Sequence, residues 1–390
     1  MGYKYAVVGA GRQGIAAAYD LGKFGDADEI LLLDIDEALA RRAAEGLNAL
    51  LKRKVARGIG ADVGDIGRLR TILKGVKAFI GGVHFPFNPA LTDLAIEIKS
   101  NMCDFGGNTG VVRAQLERDA DARRAGVTIV PDCGMGPGLN VSLATYVMSL
   151  LDEPREVLIW DGGLPQNPEP PWNYAMTFNI GGLTNEYCGH AYFLRRGKIT
   201  EVPCFGGYEV LDFPPPLGTL EAFVTSGGLS TAPWTFEGRL ERLENKTLRY
   251  PGHWAQLKAF ADLGLLETEP IAVDGKTVVP RDMFHALFEP QIFKPEVRDV
   301  CVMRVKGIGK KNGRETEAVV ELIDYYDPAT GFTAMQRLTG WHASIIAILA
   351  TRGKVRPGAV SVELAVPGKT IVEEARRRGL DIKVSLTPLP

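Results

Sequence analysis

Cysteine is scarce in this sequence of 390 residues. The five cysteines include no C-x-x-C pair; they are Cys103, Cys133, Cys188, Cys204 and Cys301. This small, odd number does not fit a small domain held together by disulfides. It is typical of a reducing compartment, so we expect a cytoplasmic protein.

Long hydrophobic runs and an excess of either charge are also missing. No stretch reaches 18 consecutive apolar residues, so we expect no membrane span. The first letters, MGYKYAVVGAG, are typical of a strand and a turn, so we expect no signal peptide. The 45 basic and 47 acidic side chains leave a net charge of −2. Nucleic-acid binders need a basic patch or stripe, so we expect no nucleic-acid partner.

The overall composition is that of a folded protein, with 45% hydrophobic and 24% charged residues. Such values exclude a disordered chain. The length is more than one ordinary domain needs and predicts two domains. The 45 glycines and 24 prolines are spread along the chain and indicate many tight turns.

The first 130 residues alternate short apolar runs with amphipathic segments. The pattern predicts strands at 5–8, 29–33, 77–80, 101–105 and 127–130, and helices at 13–22, 37–51, 89–98 and 112–124. Apolar strands separated by helices are typical of a parallel sheet that is covered on both faces. We therefore predict an α/β fold with a Rossmann-type, doubly wound sheet.

The pattern changes after a predicted helix at 138–151. Predicted strands at 157–160, 174–179, 198–202 and 319–325 and helices at 255–263 and 281–288 indicate a second α+β domain with a mainly antiparallel sheet. An apolar helix at 340–353, a strand at 360–364 and a helix at 370–379 form the tail. We expect the tail to pack on the first domain, which gives one domain of residues 1–135 and 337–390 and a second of 136–336.

A glycine-rich turn, G-A-G-R-Q-G, joins the first predicted strand to the first predicted helix. Gly9 would permit the tight turn, Gly11 would let a pyrophosphate approach the backbone, and Gly14 would let helix and strand pack closely. Arg12 and Gln13 lie inside the motif and open the helix, whose N–H groups attract phosphate. The turn therefore predicts a dinucleotide site.

Asp34 closes the next predicted strand, 20 residues after Gly14. A carboxylate at this place accepts hydrogen bonds from the ribose hydroxyls and repels a 2′-phosphate. Asp36 and Glu37 add further negative charge. We therefore expect NAD rather than NADP as the cofactor.

Later strand ends should complete the nucleotide cleft, because ligands bind outside the carboxyl ends of parallel strands. Asp62 and Val63 are candidates to flank the adenine. Gly82 and Val83 follow another strand and would let the nicotinamide half approach the backbone. Pro137 opens a predicted helix, whose exposed N–H groups we expect to face the nicotinamide.

Several longer segments carry a family resemblance. They are VVGAGRQG, CDFGGN, PDCGMGPGLN, GGLPQNP, LTNEY, EAFVTSGGLST, KTLRYPGH and YYDPATGFTAMQRLTGWHASI. Over nearly its whole length the chain resembles the saccharopine dehydrogenase-like oxidoreductases, and within them it is most similar to L-lysine 6-dehydrogenases. One departure is Leu338 and His342, where the family pattern has Thr and Pro. We interpret His342 as a packing or surface residue.

The resemblance implies NAD-dependent oxidation of the ε-carbon of L-lysine. The product would be allysine (2-aminoadipate 6-semialdehyde), released with ammonia and cyclising to piperideine-6-carboxylate. Hydride can leave the ε-carbon only when its amine is neutral, and a lysine ammonium has a pKa of about 10.4. A base or a desolvated pocket must therefore promote deprotonation, and water attack on the iminium needs proton transfer.

Two residues are candidates for this proton chemistry. His253 follows the R-Y-P-G turn in a segment that carries the resemblance, and histidine titrates near neutrality. It is our first candidate for the general base, with a capping or surface histidine as the alternative. Asp104 ends a strand of the nucleotide sheet and could hold the ε-ammonium. It could equally be a helix cap or a buried, hydrogen-bonded carboxylate.

The other end of lysine carries a carboxylate and an ammonium group, which require an arginine or backbone N–H groups and a carboxylate. Arg249 is the candidate for gripping the substrate carboxylate. Glu186 and Asn185 could bind the α-ammonium. Further candidates for substrate binding are Tyr250, Thr225 and Ser226.

Other readings remain open. Cys188 and His190 form C-x-H, which is too little for a metal site, so we expect no metal. A saccharopine or carboxynorspermidine dehydrogenase-like enzyme would use the same fold with another C–N substrate. A catalytically inactive nucleotide-binding regulator would keep the same glycine turn. In each case we expect a homodimer or a higher homo-oligomer formed through the second domain.

Overall fold

A computed structural model describes residues 2–390. The first part of the chain contains β1 (Tyr3–Val8), α1 (Arg12–Phe24), β2 (Ala27–Asp34), α2 (Glu37–Leu51), β3 (Ala56–Gly60), α3 (Ile66–Ile72), β4 (Ala78–Gly81), a 3₁₀ turn (Phe85–Phe87), α4 (Asn88–Ile98), β5 (Asn101–Asp104), α5 (Thr109–Leu116), α6 (Asp119–Ala125) and β6 (Thr128–Val130). These six strands are parallel and lie in the order 3-2-1-4-5-6. This order is that of doubly wound dinucleotide folds and confirms the predicted Rossmann-type sheet.

The middle of the chain contains α7 (Leu139–Leu150), β7 (Glu153–Pro165), α8 (Ile180–Glu186), β8 (His190–Arg195), β9 (Lys198–Pro203), β10 (Glu209–Phe213), β11 (Gly218–Phe223), α9 (Ala232–Phe236), β12 (Arg242–Arg249), α10 (His253–Asp262), β13 (Ile271–Val273), β14 (Lys276–Val278), α11 (Pro280–Ile292), β15 (Asp299–Lys311) and β16 (Arg314–Tyr325). The tail contains α12 (Ala334–Thr351), β17 (Gly358–Ala359), α13 (Val362–Ala365), α14 (Gly368–Arg377) and β18 (Ile382–Pro388).

The second sheet has nine strands. Its main path is β10-β11-β12-β7-β15-β16-β18, β8 pairs with β12, and β9 pairs with β8. Strand β7 runs parallel to β12, and the other pairings described in this sheet are antiparallel. The predicted α+β fold with a mainly antiparallel second sheet is confirmed.

The tail connects the two sheets. Strand β17 pairs in parallel with β6 and extends the first sheet, and α12 packs against α1, β4 and β5. Strand β18 instead pairs with β16 in the second sheet. The expectation that all of 337–390 returns to the first domain therefore fails for 382–388, because the edge of β16 offers β18 a ladder of backbone hydrogen bonds.

Side chains of the first sheet alternate between two hydrophobic clusters. Tyr5 and Val7 face one cluster, and Ala6 and Val8 face the other, so the sheet is buried on both faces. The cluster around Tyr5 continues through α12 to residues of the second sheet such as Met303. The two sheets thus share one core.

Helix α12 begins six residues before its predicted start. Thr333 and Gln336 form a capping box, and the Asp299 carboxylate accepts from the first backbone N–H groups of the helix. On this helix the buried His342 bonds to Ser142 Oγ and to the Cys133 carbonyl, both at 3.0 Å. Burial lowers the pKa of His342 to about 4, so it is a neutral packing residue.

Three predicted elements were wrong. Residues 174–179 form no strand, because no neighbouring strand pairs with this segment; their apolar pattern reflects the burial of residues 174–177. Residues 360–364 form no strand. The strand here, β17, ends at Ala359 because its partner β6 is only three residues long, and α13 begins at Val362. The helix predicted at 112–124 is divided into α5 and α6.

Candidate active site between the two sheets

The glycine turn after β1 has the geometry of a phosphate-binding turn. Gly9 has a φ of +111°, and a side chain there would collide with the Gly82 carbonyl. A side chain on Gly14 would collide with the Gly9 carbonyl. Gly11 is exposed, and no protein atom lies within 4 Å of the place where its Cβ would be. Protein packing accounts for Gly9 and Gly14, whereas the open space beside Gly11 would let a ligand approach the backbone.

The N-terminus of α1 opens towards this turn and has no side-chain cap. Its N–H groups and its positive dipole end suit a phosphate. Asp34, at the end of β2, accepts from the backbone N–H of Ala10 at 2.9 Å and of Asp36 at 3.1 Å. It remains partly exposed, at the position from which an acidic residue binds ribose in this fold. The turn and Asp34 therefore fit a nicotinamide dinucleotide.

Arg12 and Gln13 connect the turn to the rest of the molecule. Gln13 Nε2 donates to the Thr177 carbonyl at 3.3 Å, and Gln336 Nε2 donates to the Arg12 carbonyl at 2.8 Å. Thr177 precedes α8 and belongs to the second domain. The Gln13 side chain thus joins the nucleotide turn to the wall on the other side of the cleft.

The other predicted nucleotide residues lie at the carboxyl edge of the first sheet. Asp62 follows β3, is exposed, and accepts from the Gly64 N–H at 2.8 Å. Val63 is half-buried against the core. Gly82 and Val83 follow β4, next to the glycine turn. Their common edge agrees with the rule for ligand sites in open α/β sheets.

The N-terminus of α7 differs from our expectation. Asn140 Oδ1 accepts from the backbone N–H of Gly138 at 3.0 Å and of Val141 at 2.7 Å. Pro137 lies beside them and is partly exposed. The prediction that this helix offers exposed N–H groups to the nicotinamide was wrong for these two amides, because the helix satisfies them with its own side chain.

Asp104 is fully buried and supports a loop. Its Oδ1 accepts from the backbone N–H of Gly106 at 2.8 Å and of Asp132 at 3.2 Å, and its Oδ2 accepts from Gln115 Nε2 at 2.8 Å. Burial raises its pKa to about 6, although these hydrogen bonds act in the opposite direction. The arrangement corresponds to the alternative that we considered, a buried and hydrogen-bonded carboxylate.

Arg249, at the end of β12, is the centre of a buried polar group. Its Nη2 donates to Glu186 Oε2 at 3.1 Å, and its Nε donates to the Tyr187 hydroxyl oxygen at 3.2 Å. Only 3% of the Arg249 side chain is exposed, compared with 30% for Glu186. The structure thus brings two predicted substrate residues together at the end of α8, with the Glu186 side chain partly exposed.

His253 is the first residue of α10 and is buried. Its Nε2 lies 2.8 Å from the Tyr187 hydroxyl oxygen. Burial lowers the pKa of His253 well below its usual value, and Arg249 lowers it further. The histidine is therefore neutral, and the Tyr187 hydroxyl is its hydrogen-bond partner.

Asp161 lies in β7 on the same wall. Its two carboxylate oxygens accept from Asn140 Nδ2 and from Asn245 Nδ2, each at 2.9 Å. Asn140 Nδ2 also donates to the Gly228 carbonyl at 2.9 Å. Burial raises the pKa of Asp161 to about 6, against the lowering effect of these amides and of Arg249.

The charges of this wall do not balance. Burial raises the pKa of Glu186 to about 7; Arg249 lowers it, and the Asp161 charge raises it. Arg249 is the cation that acts on both carboxylates. Above pH 7 the three groups carry one negative charge in excess, which favours a cationic ligand.

The remaining predicted substrate residues bond within the protein. Tyr250 donates to the Pro165 carbonyl at 3.1 Å, Thr225 bonds to the Thr247 hydroxyl at 2.6 Å, Ser226 donates to the Asn185 carbonyl at 2.8 Å, and Asn185 Oδ1 accepts from Arg281 at 3.3 Å. These bonds hold the segments that carry Glu186 and Arg249.

Sequence reasoning missed Asp161, Tyr187, Asn140 and Asn245. A signal for Asp161 was present, since an aspartate inside the apolar run VLIWDGG is an unusual buried polar residue. No local pattern marks the two asparagines, because their role depends on strands and a helix that meet only in the folded chain. Among residues 2–390, no cluster of three His, Cys, Asp or Glu side chains could hold a metal. None of the helices described is long and apolar enough to span a membrane.

Comparisons with known proteins agree with this architecture. Residues 5–130 match the model of the saccharopine dehydrogenase NADP binding domain, and residues 134–380 match that of the saccharopine dehydrogenase C-terminal domain. Saccharopine dehydrogenase [NADP(+), L-glutamate-forming] of Saccharomyces cerevisiae is 23% identical over 266 residues, which are 63% of this chain and 56% of that protein. The mitochondrial alpha-aminoadipic semialdehyde synthase of Mus musculus is 25% identical over 216 residues, 52% of this chain and 22% of that protein. The chain thus spans about half or less of the length of these relatives.

Two solved structures share the fold. The apo form of saccharopine dehydrogenase (L-Glu forming) from Saccharomyces cerevisiae has a TM-score of 0.79 at 18% identity and covers 99% of this chain and 100% of that one. Homospermidine synthase from Legionella pneumophila in complex with NAD has a TM-score of 0.65 at 12% identity, with coverage of 99% and 91%. At these identities the likeness concerns the fold alone.

Proposed function

The chain belongs to the saccharopine dehydrogenase family, and from this premise we propose that it is an NAD-dependent oxidoreductase acting on the ε-amine of L-lysine. The reaction would convert the CH–NH₂ group to an iminium, which water hydrolyses to allysine and ammonia. The single observation that carries the proposal is the group of Arg249, Glu186 and Asp161 across the cleft from the glycine turn.

The charge of this group supports lysine over saccharopine. Lysine at neutral pH has two ammonium groups and one carboxylate, so it carries a net positive charge. Saccharopine has three carboxylates and two amines, so it carries a net negative charge. The wall of the cleft carries one excess negative charge and a single buried guanidinium. This wall would attract lysine and repel saccharopine.

Each residue of the wall has a task in this proposal. Arg249 grips the α-carboxylate through a charge-assisted hydrogen bond, and Glu186 binds the α-ammonium. The neutral His253 orients the Tyr187 hydroxyl, which in turn holds Arg249 Nε. We therefore propose that His253 positions the substrate grip and is not the general base. Bound at the glycine turn, the dinucleotide would accept the hydride.

Asp34 supports NAD as the cofactor, although the family model and the yeast relative carry NADP in their names. Its carboxylate would repel a 2′-phosphate. Two nearby arginines are already engaged, since Arg41 pairs with Glu37 and Arg68 donates to the Gly60 carbonyl at 2.6 Å. Replacing Asp34 with Ser should weaken NAD binding and narrow its advantage over NADP. An unchanged preference would show that Asp34 does not touch the ribose.

The test is incubation of the purified protein with lysine and NAD at alkaline pH. We expect absorbance from NADH, with allysine and ammonia formed in equal amounts. Saccharopine and a linear diamine serve as competing substrates. Faster NADH formation with either one would overturn the assignment of lysine.

Two alternatives stay in view. A carboxynorspermidine dehydrogenase-like enzyme would also use a negatively charged wall, because a polyamine is cationic, and the diamine arm of the test detects such a preference. An inactive nucleotide-binding regulator would bind NAD and reduce none of it with any amine. Both alternatives keep the glycine turn. They differ from the leading proposal in which substrate, if any, the polar residues around Arg249 bind.

A homodimer formed through the second sheet remains part of the proposal. Lys306 and Arg304 lie on the face opposite Gly307, which packs against α7. They pair across the strands with Glu317 at 3.4 Å and Glu321 at 2.7 Å. A face with both charges can be complementary to itself across a two-fold axis. The free cysteines support a reducing compartment such as the cytoplasm.

A further inference from the structure

Asp161 is held in position but not neutralised. Every group that faces it can be named: Asn140 from α7, Asn245 and Arg249 from β12, Glu186 from α8, and the Cys301 thiol from β15. The two asparagines contribute neutral donors, one to each oxygen. A carboxylate has about four acceptor sites, so two hydrogen bonds fix its orientation and leave capacity to accept more.

A glycine lies directly beside this carboxylate. Asp161 is only 6% exposed, but the neighbouring Gly136 is exposed. A Cβ on Gly136 would lie 2.5 Å from Asp161 Oδ2 and 3.2 Å from Asn140 Nδ2. Gly136 lies in the loop that follows β6, at the carboxyl edge of the nucleotide sheet, where ligands of this fold bind. The missing side chain therefore leaves Asp161 Oδ2 next to an exposed residue at that edge.

Three other candidates for proton transfer have partners that occupy them. Asp104 accepts three hydrogen bonds, from the backbone N–H groups of Gly106 and Asp132 and from Gln115. His253 is bonded to the Tyr187 hydroxyl. Glu186 is paired with Arg249, and the proposed function assigns it to the α-ammonium at the other end of the substrate. Of these groups, Asp161 is the one bound only by neutral side-chain amides.

We propose that Asp161 is the catalytic residue that accepts the proton from the substrate's ε-ammonium, an inference that rests on the proposed function. One N–H bond of the ammonium breaks, an O–H bond forms on the Asp161 carboxylate, and the nitrogen keeps the electron pair. The neutral amine can then release hydride from its carbon to NAD⁺, which is the oxidant. The lone pair of the amine nitrogen then forms the C=N bond of the iminium.

The acid–base behaviour of Asp161 is compatible with this role. Burial raises its pKa to about 6, so the residue is ionised and able to accept a proton at neutral and alkaline pH. A raised pKa also reduces the gap to the ammonium that must give up its proton. Glu186 also titrates with a pKa raised to about 7, so a pH profile alone does not separate the two carboxylates.

The experiment therefore compares variants. Asp161→Asn keeps the volume of the side chain, and the Asn245 amide can turn to present its oxygen to the new amide. Asp161→Ala opens space that formate, a small carboxylate, can enter. Asp299→Asn is the matched control: Asp299 is a buried aspartate in the same sheet, with a pKa raised by burial to about 6, whose oxygens accept from backbone N–H groups of α12.

We expect Asp161→Asn to lower kcat by roughly 10²-fold or more, the usual effect of losing a general base. Calorimetry should still detect NAD binding, and Asp299→Asn should keep wild-type kcat. Formate should increase the rate of Asp161→Ala and leave the other variants unchanged. A purely structural Asp161 would show no formate rescue.

The outcomes separate the two proposals. Wild-type NADH formation with lysine tests the function, and the ratio of variant to wild type tests Asp161. Two outcomes with an active wild type overturn the role of Asp161 alone. One is a near-wild-type kcat in Asp161→Asn, and the other is a slow Asp161→Ala whose rate formate does not increase. If the wild type prefers another amine, the same ratio is measured with that amine. A wild type that oxidises no amine overturns both proposals.

Discussion

On the first sheet, the residues that face the expected ligand contribute mainly backbone, namely the glycine turn and the start of α1, and Asp34 adds one carboxylate. On the second sheet, the facing wall consists of charged and polar side chains around Arg249. The first region offers N–H groups that any diphosphate can use. The second offers a guanidinium beside two carboxylates. In the proposed function, the pyrophosphate is therefore recognised by backbone groups, and the substrate by charged side chains.

The two regions should therefore respond to opposite kinds of mutation. A backbone site is damaged by adding atoms, because a new side chain occupies the space of the ligand. A side-chain site is damaged by removing charge, because the remaining partner is left buried and unpaired. Four experiments test this contrast.

The largest effect is expected on the second sheet, from Arg249→Met. The substitution removes the grip for the carboxylate and leaves Glu186 without its partner. Truncating one member of a buried charge pair costs about 2–5 kcal/mol, so kcat/KM for lysine should fall by about 30- to 5,000-fold. NAD binding measured by calorimetry should change little. Arg304→Met, on the outer face of the same sheet, is the control, and an equal loss in that variant would contradict the assignment.

On the first sheet, Gly11→Ala and Gly14→Ala separate ligand space from protein packing. The Gly11 Cβ would meet no protein atom, so this variant should keep its Tm and bind NAD about 10-fold more weakly or worse. The Gly14 Cβ would collide with the Gly9 carbonyl, so that variant should be destabilised by about 1–3 kcal/mol. Thermal unfolding and calorimetry measure the two effects. If Gly11→Ala binds NAD as tightly as the wild type, the dinucleotide does not bind at this turn.

A smaller effect is expected from His253→Phe. Tyr187 would lose one buried hydrogen bond, so KM for lysine should rise about 5- to 10-fold while kcat stays within about 3-fold. His253→Gln keeps an acceptor for the hydroxyl and should restore most of the affinity. If His253 were the general base instead, kcat would fall about 10²–10⁴-fold and its pH profile would lose an ionisation.

The smallest effect is expected from Asp104, at the end of β5 in the first sheet. It concerns the free energy of unfolding rather than the reaction rate. Its folded pKa of about 6 is above the usual unfolded value of about 3.9. The stability that the protonated carboxyl contributes is complete below pH 4 and is lost as the pH rises towards 6. Asp104→Asn should therefore cost about 2 kcal/mol more at pH 4.5 than at pH 7.5. Chemical denaturation at both pH values measures the difference, and a cost independent of pH would contradict the raised pKa.

The contrast between the two regions also explains what the sequence could predict. The Rossmann-type sheet, its glycine turn and Asp34 follow from patterns that are local in the chain. Helix α2 has the predicted bounds, because its apolar positions repeat with the helical period and Asp36 caps its first turn.

The polar group around Arg249 was harder to predict because no single segment contains it. Arg249 and Glu186 were candidates by residue type, but Asp161 comes from a strand that pairs with β12 only in the folded chain. His253 was a candidate base because histidine titrates near neutrality, and burial against Tyr174 and Tyr187 lowers its pKa well below that range. The end of the tail was misplaced for the same reason, since β18 finds its partner 60 or more residues away in β16.

The most direct test of the central claim follows the transferred hydrogen. The enzyme is incubated with NAD and with lysine that carries deuterium at both positions of the ε-carbon, and the reduced dinucleotide is analysed by mass spectrometry. We predict that the dinucleotide gains one deuterium, because hydride leaves the ε-carbon. Reduced dinucleotide without deuterium, together with label transfer from lysine deuterated at the α-carbon, would contradict the account.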